Sequence, residues 1–255
     1  MRVFFQCLLP ASCLLVASFA VAESCAPDRI DEFAKIARIF DGDTIQLEDG
    51  RRVRLIGINA AETGKDGQPS EPYADEAREA LLSLLKPQST VAMRFDEERH
   101  DQYRRLLAHL YTPETLSVEA WLLENGYAQL IAIPPNLWNL ACYRQAEQRA
   151  QTQRKGMWSQ SYYQAIDAAA FGNNIHGFRS ISGRVNHVGE TAKSFWLDLY
   201  GGVALRIDRD DIQYFDGIKF TELKNHKVIA RGWVHGDANR PVMRIRHPVS
   251  LQVLD

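Results

Sequence analysis

Ile39-Phe40-Asp41-Gly42-Asp43-Thr44, and downstream of it Val53-Arg54-Leu55-Ile56-Gly57-Ile58-Asn59-Ala60-Ala61-Glu62, decide the fold. The first stretch leaves one apolar segment and enters another. Asp49-Gly50 then supplies a tight-turn pair before the second stretch. Three strands are predicted here, over 34–39, 44–47 and 53–58, the last two forming a hairpin. If the third strand alternates, Arg54 shares a face with Ile56 and Ile58 and points into a barrel or a cleft. A buried guanidinium needs an anionic partner, either a neighbouring carboxylate or a ligand.

Outward from this core, residues 63–70 are polar and read as an exposed loop. Pro72 fits the first turn of a helix whose apolar stripe is Ala77, Ala80, Leu81, Leu84 and Leu85, ended by Pro87. Segments 90–95 and 106–111 are predicted as two more strands, joined by a charged connection. Ser117 is a helix cap and Gly126 a stop. A further helix spans about 137–155, with Gly156 as its stop. Five strands with three helices fit a small closed barrel of the oligonucleotide-binding (OB) kind.

Residues 161–176 change character and read as a linker. Beyond them the chain is strand-like over 180–188, 195–199, 203–207, 228–234 and 242–245, which predicts a second, smaller β-barrel. The expected organisation is therefore a leader at 1–22, a first domain at 23–160, the linker at 161–176 and a second domain at 177–255. In the second domain Arg231, Arg240, Arg244, Arg246 and His247, near Phe195, Trp196, Tyr200 or Trp233, form either a basic stripe for single strands or solvated arginines over core aromatics.

Arg2, the apolar run from Val3 and the small-residue pattern Ala20-Val21-Ala22 read as a secretory signal cut after Ala22. Pro10 and Gln6 leave the run short of the ~20 apolar residues of a crossing helix, so no stable membrane insertion is expected once the signal is removed. The protein is then exported, to a periplasm or the medium. Cys7 and Cys13 leave with the signal. Cys25 and Cys142 remain, either disulfide-bonded, as an exported chain favours, or as two free thiols. Two cysteines are too few for a structural zinc site.

The net charge is −2. Residues 23–160 carry 17 Lys and Arg against 22 Asp and Glu, and residues 161–255 carry 12 against 10. No global basic field concentrates nucleic acid, so phosphate binding has to come from a few placed arginines and a metal. Two carboxylates around Gly42 suit a turn that holds a hard cation through oxygen; alone they are also an ordinary polar turn.

The ordered set of these motifs resembles the staphylococcal nuclease (thermonuclease) family. It comprises Ile39 to Thr44, Arg54 to Glu62, Tyr73 with Glu76-Ala77, Asp101-Gln102-Tyr103-Arg104-Arg105-Leu106-Leu107-Ala108 and Lys155-Gly156-Met157-Trp158. The resemblance runs from about 34 to 159. It implies a five-stranded barrel and a calcium-dependent nuclease acting on DNA, RNA or both. By motif position, Asp43 would ligate calcium directly and Asp41 would support the site from behind. Asn59 and the carbonyl of Ala60 would complete the ligands. Glu62 would be the general base, and Arg54 and Arg105 would grip the phosphate. Asn59 stands where the family pattern has an aspartate, which removes one charge, and calcium affinity follows ligand charge. The expectations for the site are weaker calcium binding, preference for another divalent ion, or loss of catalysis. In the last case the chain is a module that binds nucleic acid or a protein partner.

Overall fold

A computed structural model describes residues 25–64, 67, 69–170, 176–236 and 240–254. The expected signal at 1–22 lies outside the described residues.

The first barrel is built from β1 (Glu32–Ile39), β2 (Thr44–Leu47), β3 (Arg52–Leu55), β5 (Thr90–Arg94) and β6 (Leu106–Tyr111), closed in the order β1-β2-β3-β6-β5. β1 serves two neighbours. Residues 32–35 pair with β5, and 36–39 pair with β2 after a register shift between Ile36 and Arg38. β3 and β6 run parallel, and the other pairings are antiparallel. Alternation along the strands turns Ile36, Ile45, Leu47, Val53, Leu55, Val91, Met93 and Leu110 inward, where they are buried. Helices α1 (Ala74–Leu84), α2 (Val118–Glu124) and α3 (Leu140–Thr152) cover this core. Ser117 caps α2 by accepting a hydrogen bond from the Ala120 amide at 3.2 Å. α1 buries Ala74, Ala77, Ala80 and Leu81.

The strand expected over 53–58 is two strands. β3 ends at Leu55, and β4 (Ile58–Ala60) pairs instead with β7 (Ala128–Leu130). Gly57 makes the break with φ +84°, and a Cβ there would lie 2.8 Å from the Tyr143 ring. Only glycine satisfies both the left-handed backbone and the ring of α3. Alternation past Leu55 therefore does not place Arg54; the break does.

Cys25 and Cys142, 117 positions apart in sequence, are joined by a disulfide with Cα atoms 5.7 Å apart. It fastens the segment before β1 to α3.

The second barrel repeats the wiring of the first. β9 (Gly177–Glu190), β10 (Ser194–Leu199), β11 (Ala204–Asp208), β12 (Lys227–His235) and β13 (Val242–Arg244) pair as β9-β10-β11-β13-β12, and β12 closes the ring on β9. β11 and β13 are again the parallel pair, and β9 again gives its first half to β12 and its second half to β10. Two short strands flank the ring: β8 (Ile166–Asp167) beside β9, and β14 (Leu251–Val253) beside β12. Part of the segment read as a linker is thus structured, with β8 and two 3₁₀ turns at Ser161–Tyr163 and Ala168–Ala170.

Candidate active site

The turn between β1 and β2 carries Asp41 and Asp43, both buried. Gly42 between them is a packing requirement, since a Cβ there would stand 2.6 Å from the Ala60 Cβ and 2.8 Å from the Ala77 Cβ. The turn is thereby pressed against β4 and α1. Asp41 Oδ1 accepts the Asp43 amide at 3.0 Å and braces the turn from behind. Asp43 spends both oxygens. Oδ1 accepts the Thr44 hydroxyl at 3.0 Å, and Oδ2 accepts the Ala60 amide at 2.8 Å and pairs with Arg54 Nη2 at 2.9 Å.

Arg54 fills the kink at Gly57. Its Nη1 donates to the carbonyls of Leu55 and Ile58 at 2.8 and 2.9 Å, and its Nη2 also donates to Asn59 Oδ1 at 3.2 Å. One guanidinium thus ties the end of β3, the start of β4, Asn59 and Asp43 into a unit. Burial raises the Asp43 carboxyl above its ordinary range. Arg54 pulls it back, and the neighbouring charges of Asp41 and Glu62 push it up again.

Glu62 lies just past β4 and is exposed. Its backbone is pinned at both ends, its amide donating to Glu71 Oε2 at 3.0 Å and its carbonyl accepting the Glu71 amide at 2.9 Å. Arg105 leads into β6, whose Leu107 pairs with Arg54 across the parallel ladder. The Arg105 side chain is held by Asp101 Oδ2 at 2.7 Å and lies 5.5 Å from the Tyr103 ring centroid. Asp41, Asp43, Arg54, Asn59 and Ala60 therefore form one bonded cluster with Glu62 at its rim. Arg105 stands at the head of the adjoining strand with its own carboxylate.

The donors available to a metal are all oxygens: the Asp43 carboxylate, Asn59 Oδ1 and the Ala60 carbonyl, with Asp41 behind. That set fits a hard divalent cation in kind. Of the two buried carboxylates only Asp43 is paired with the Arg54 guanidinium, while Asp41 holds the Asp43 amide, and the negative charge left over favours a cation. Asn59 adds oxygen without charge. No group of three His, Cys, Asp or Glu is arranged for a metal among the described residues, so the charge of the set comes from aspartates backed by neutral oxygens.

The basic stripe weighed for the second barrel is largely neutralised. Arg231 pairs with Glu147 at 2.7 Å, Arg244 with Asp208 and Asp211 at 2.7 and 2.8 Å, and Arg246 with Asp211 at 3.4 Å. Arg240 sits 5.4 Å from the Trp196 ring centroid. Sequence reading did not single out Glu71, Tyr162 and Arg179, which support the Glu62 segment. Glu71 looks like one more acidic residue before a helix, and its partners are distant in sequence.

A closed barrel with two buried aspartates, a buried arginine tying one of them to the next strand, and a carboxylate at the rim is the frame of a phosphodiester hydrolase of the thermonuclease class. The family model for staphylococcal nuclease homologues matches residues 52–160. Similar proteins include the thermonucleases of Staphylococcus hyicus, 33% identical over 49% of this chain and 75% of that one, and Staphylococcus intermedius, 33% identical over 48% and 74%. The endonuclease YncB of Bacillus subtilis is 32% identical over 49% of this chain and 61% of its own. The chain belongs to the staphylococcal nuclease homologues and is a nuclease.

Proposed function

We propose that this nuclease is an exported, metal-dependent enzyme that hydrolyses phosphodiester bonds of DNA, RNA or both, with the Asp43–Arg54–Asn59 cluster as its centre. The observation that carries the reading is Arg54. A buried guanidinium bonded to Asp43, at the position the family motif uses to hold phosphate, is costly to maintain for packing alone. Calcium is the proposed ion, another divalent cation the alternative, with Asp43, Asn59 and the Ala60 carbonyl as its protein ligands. When bound, the ion supplies positive charge to the phosphate oxygens.

The residues divide the remaining work. Glu62 accepts a proton from the attacking water, whose oxygen bonds to phosphorus as the ester P–O bond breaks, and the leaving oxygen departs with that electron pair and takes a proton from solvent. Arg54 and Arg105 donate to the non-bridging oxygens as negative charge accumulates there. For Arg54 this means leaving Asp43, and for Arg105 leaving Asp101. Export is supported by the leader at 1–22 and by a disulfide suited to an oxidising compartment. No helix among the described residues is long and apolar enough to cross a membrane.

One observation favours a second reading. Arg54 already neutralises Asp43, and Asn59 brings no charge, so a nuclease fold kept as a binding module would look similar. Both readings meet in one assay. Residues 23–255 are incubated with single- and double-stranded DNA and with RNA, in calcium, magnesium, manganese or chelator, beside an Arg54→Ala, Glu62→Ala double variant. Metal-dependent cutting lost in the variant is expected. A folded chain that cuts nothing with any ion would leave the binding module.

A further inference from the structure

Glu71 is shared between the two barrels. On one side it closes a two-bond clamp on the backbone of Glu62, with Oε2 accepting the Glu62 amide at 3.0 Å and the Glu71 amide donating to the Glu62 carbonyl at 2.9 Å. On the other side Oε1 accepts the Tyr162 hydroxyl at 3.1 Å and Arg179 Nη1 at 3.4 Å. Arg179 belongs to β9, the first strand of the second barrel, and its side chain is 9% exposed. It is fixed there in turn. Nη1 donates to the Phe178 carbonyl at 2.8 Å, Nη2 donates to the Tyr162 hydroxyl, and the guanidinium stacks 4.1 Å from the Tyr162 ring centroid. The next residue, Tyr163, donates to the Pro72 carbonyl, so both ends of the Glu71-Pro72 step are held.

We infer that Arg179 of the second barrel is a positioning residue for Glu62, acting through Glu71 and Tyr162. The inference rests on the proposed role of Glu62 as general base. The physical argument is one of register. Glu62 sits at the rim, exposed, at the start of the polar loop that reaches to Glu71. A carboxylate on such a segment wanders unless its backbone is tied to something rigid, and misplacement by about 1 Å can cost on the order of a hundredfold in rate. Glu71 can hold Glu62 only if its own carboxylate is oriented. The hydroxyl and guanidinium that orient it come from beyond the first barrel. The second barrel thereby contributes to the chemical step without touching substrate.

The test compares Arg179→Ala and Glu71→Gln with Arg246→Ala. Arg246 also spans the barrels, donating to the Pro134 carbonyl at 3.0 Å, but does not touch the Glu62 segment. Steady-state cutting of a defined oligonucleotide gives kcat and KM, and thermal melting of each variant reports folding. Arg179→Ala and Glu71→Gln are expected to lower kcat about tenfold or more with KM within about twofold. Millimolar guanidinium should restore part of kcat to Arg179→Ala. Neither substitution should lower the rate further in a Glu62→Gln background. Arg246→Ala should change melting but not kcat. If Glu62→Gln cuts far more slowly than wild type, an unchanged kcat in Glu71→Gln overturns the inference alone. A raised KM at constant kcat overturns it too, by making the contact a binding one. Full activity in Glu62→Gln, or none in wild type, removes the role of Glu62 and the inference with it.

Discussion

Arg231 of the second barrel grips Glu147 of α3 through two parallel hydrogen bonds, Nη1 to Oε1 at 2.7 Å and Nη2 to Oε2 at 2.9 Å, with both side chains nearly out of solvent. The same Oε1 accepts the Leu130 amide of β7 at 2.7 Å, and β7 pairs with β4, which carries Asn59 and Ala60. Removing the arginine strands a buried carboxylate. Arg231→Ala is expected to destabilise by roughly 3 kcal/mol or more, read as a lower urea midpoint. Adding Glu147→Gln should recover much of that loss, because the amide still accepts from Leu130 and no charge is left behind. A single variant within about 0.5 kcal/mol of wild type would mean that the pair contributes as little as an exposed one.

In the proposed metal centre Asn59 is the ligand whose charge can be changed without touching Asp43. Its Oδ1 now accepts from the guanidinium that also pairs with Asp43. Asn59→Asp adds a second anionic oxygen and raises the charge of the ligand set. Calcium affinity is expected to tighten about tenfold or more, followed by isothermal titration at fixed pH and salt. The opposing effect is also predictable. Arg54 between two carboxylates is held harder, so the gain in rate should be smaller than the gain in affinity. Unchanged calcium binding would remove residue 59 from the ligand set.

The sequence was informative where the cause of a structure is local. Alternating strands, the turn at Asp49-Gly50, the Ser117 cap and the paired aspartates around Gly42 act within a few residues, and both barrels could be drawn from them. The break at Gly57 could not, because its reason is the ring of Tyr143, brought in by α3. Nor could the partner of Glu71, since Arg179 lies 108 residues away. His109 was hidden inside an apolar strand. It is fully buried, with Nδ1 2.9 Å from the Tyr143 hydroxyl and its ring edge-on to Trp138. β8 and β14 are too short to leave a periodic signal.

The disulfide spans a loop long enough to matter. Cross-linking residues 117 apart removes chain entropy from the unfolded state worth about 4 to 5 kcal/mol in the loop-closure model, with measured effects more often about 2 to 4. A Cys25→Ser, Cys142→Ser variant is expected to unfold at lower urea by that order. The slope of the transition should steepen as the unfolded chain expands. The Cys25 carbonyl accepts from Asn139 Nδ2 at 3.1 Å, so the amino-terminal segment keeps one tether near α3 without the bond. Equal midpoints for reduced and oxidised protein would show that this segment adds nothing to the barrel.

Glu119 sets a sign for stability against pH. It is wholly buried at the start of α2, where Oε1 accepts the Leu110 amide at 2.8 Å and Oε2 accepts the Tyr143 hydroxyl at 3.4 Å. Burial pushes its carboxyl up to about 8 from an ordinary 4.5, with the Leu110 amide pulling the other way. The folded chain therefore holds this proton more tightly than the unfolded chain does. The associated stability is complete below 4.5 and is lost as pH rises through 8, by at most about 1.4 kcal/mol per pH unit. Glu119→Gln keeps an acceptor for Leu110 and carries no titrating proton. Wild type should lose stability relative to the variant between pH 5 and pH 8. Taking the difference matters, because Asp43 is raised as well and titrates in both proteins, and His109, lowered by burial, contributes the opposite slope below about 6.5 in both. Parallel urea midpoints across that range would place Glu119 in contact with water or with a donor that keeps it charged, and would remove the buried neutral carboxyl from the account of this core.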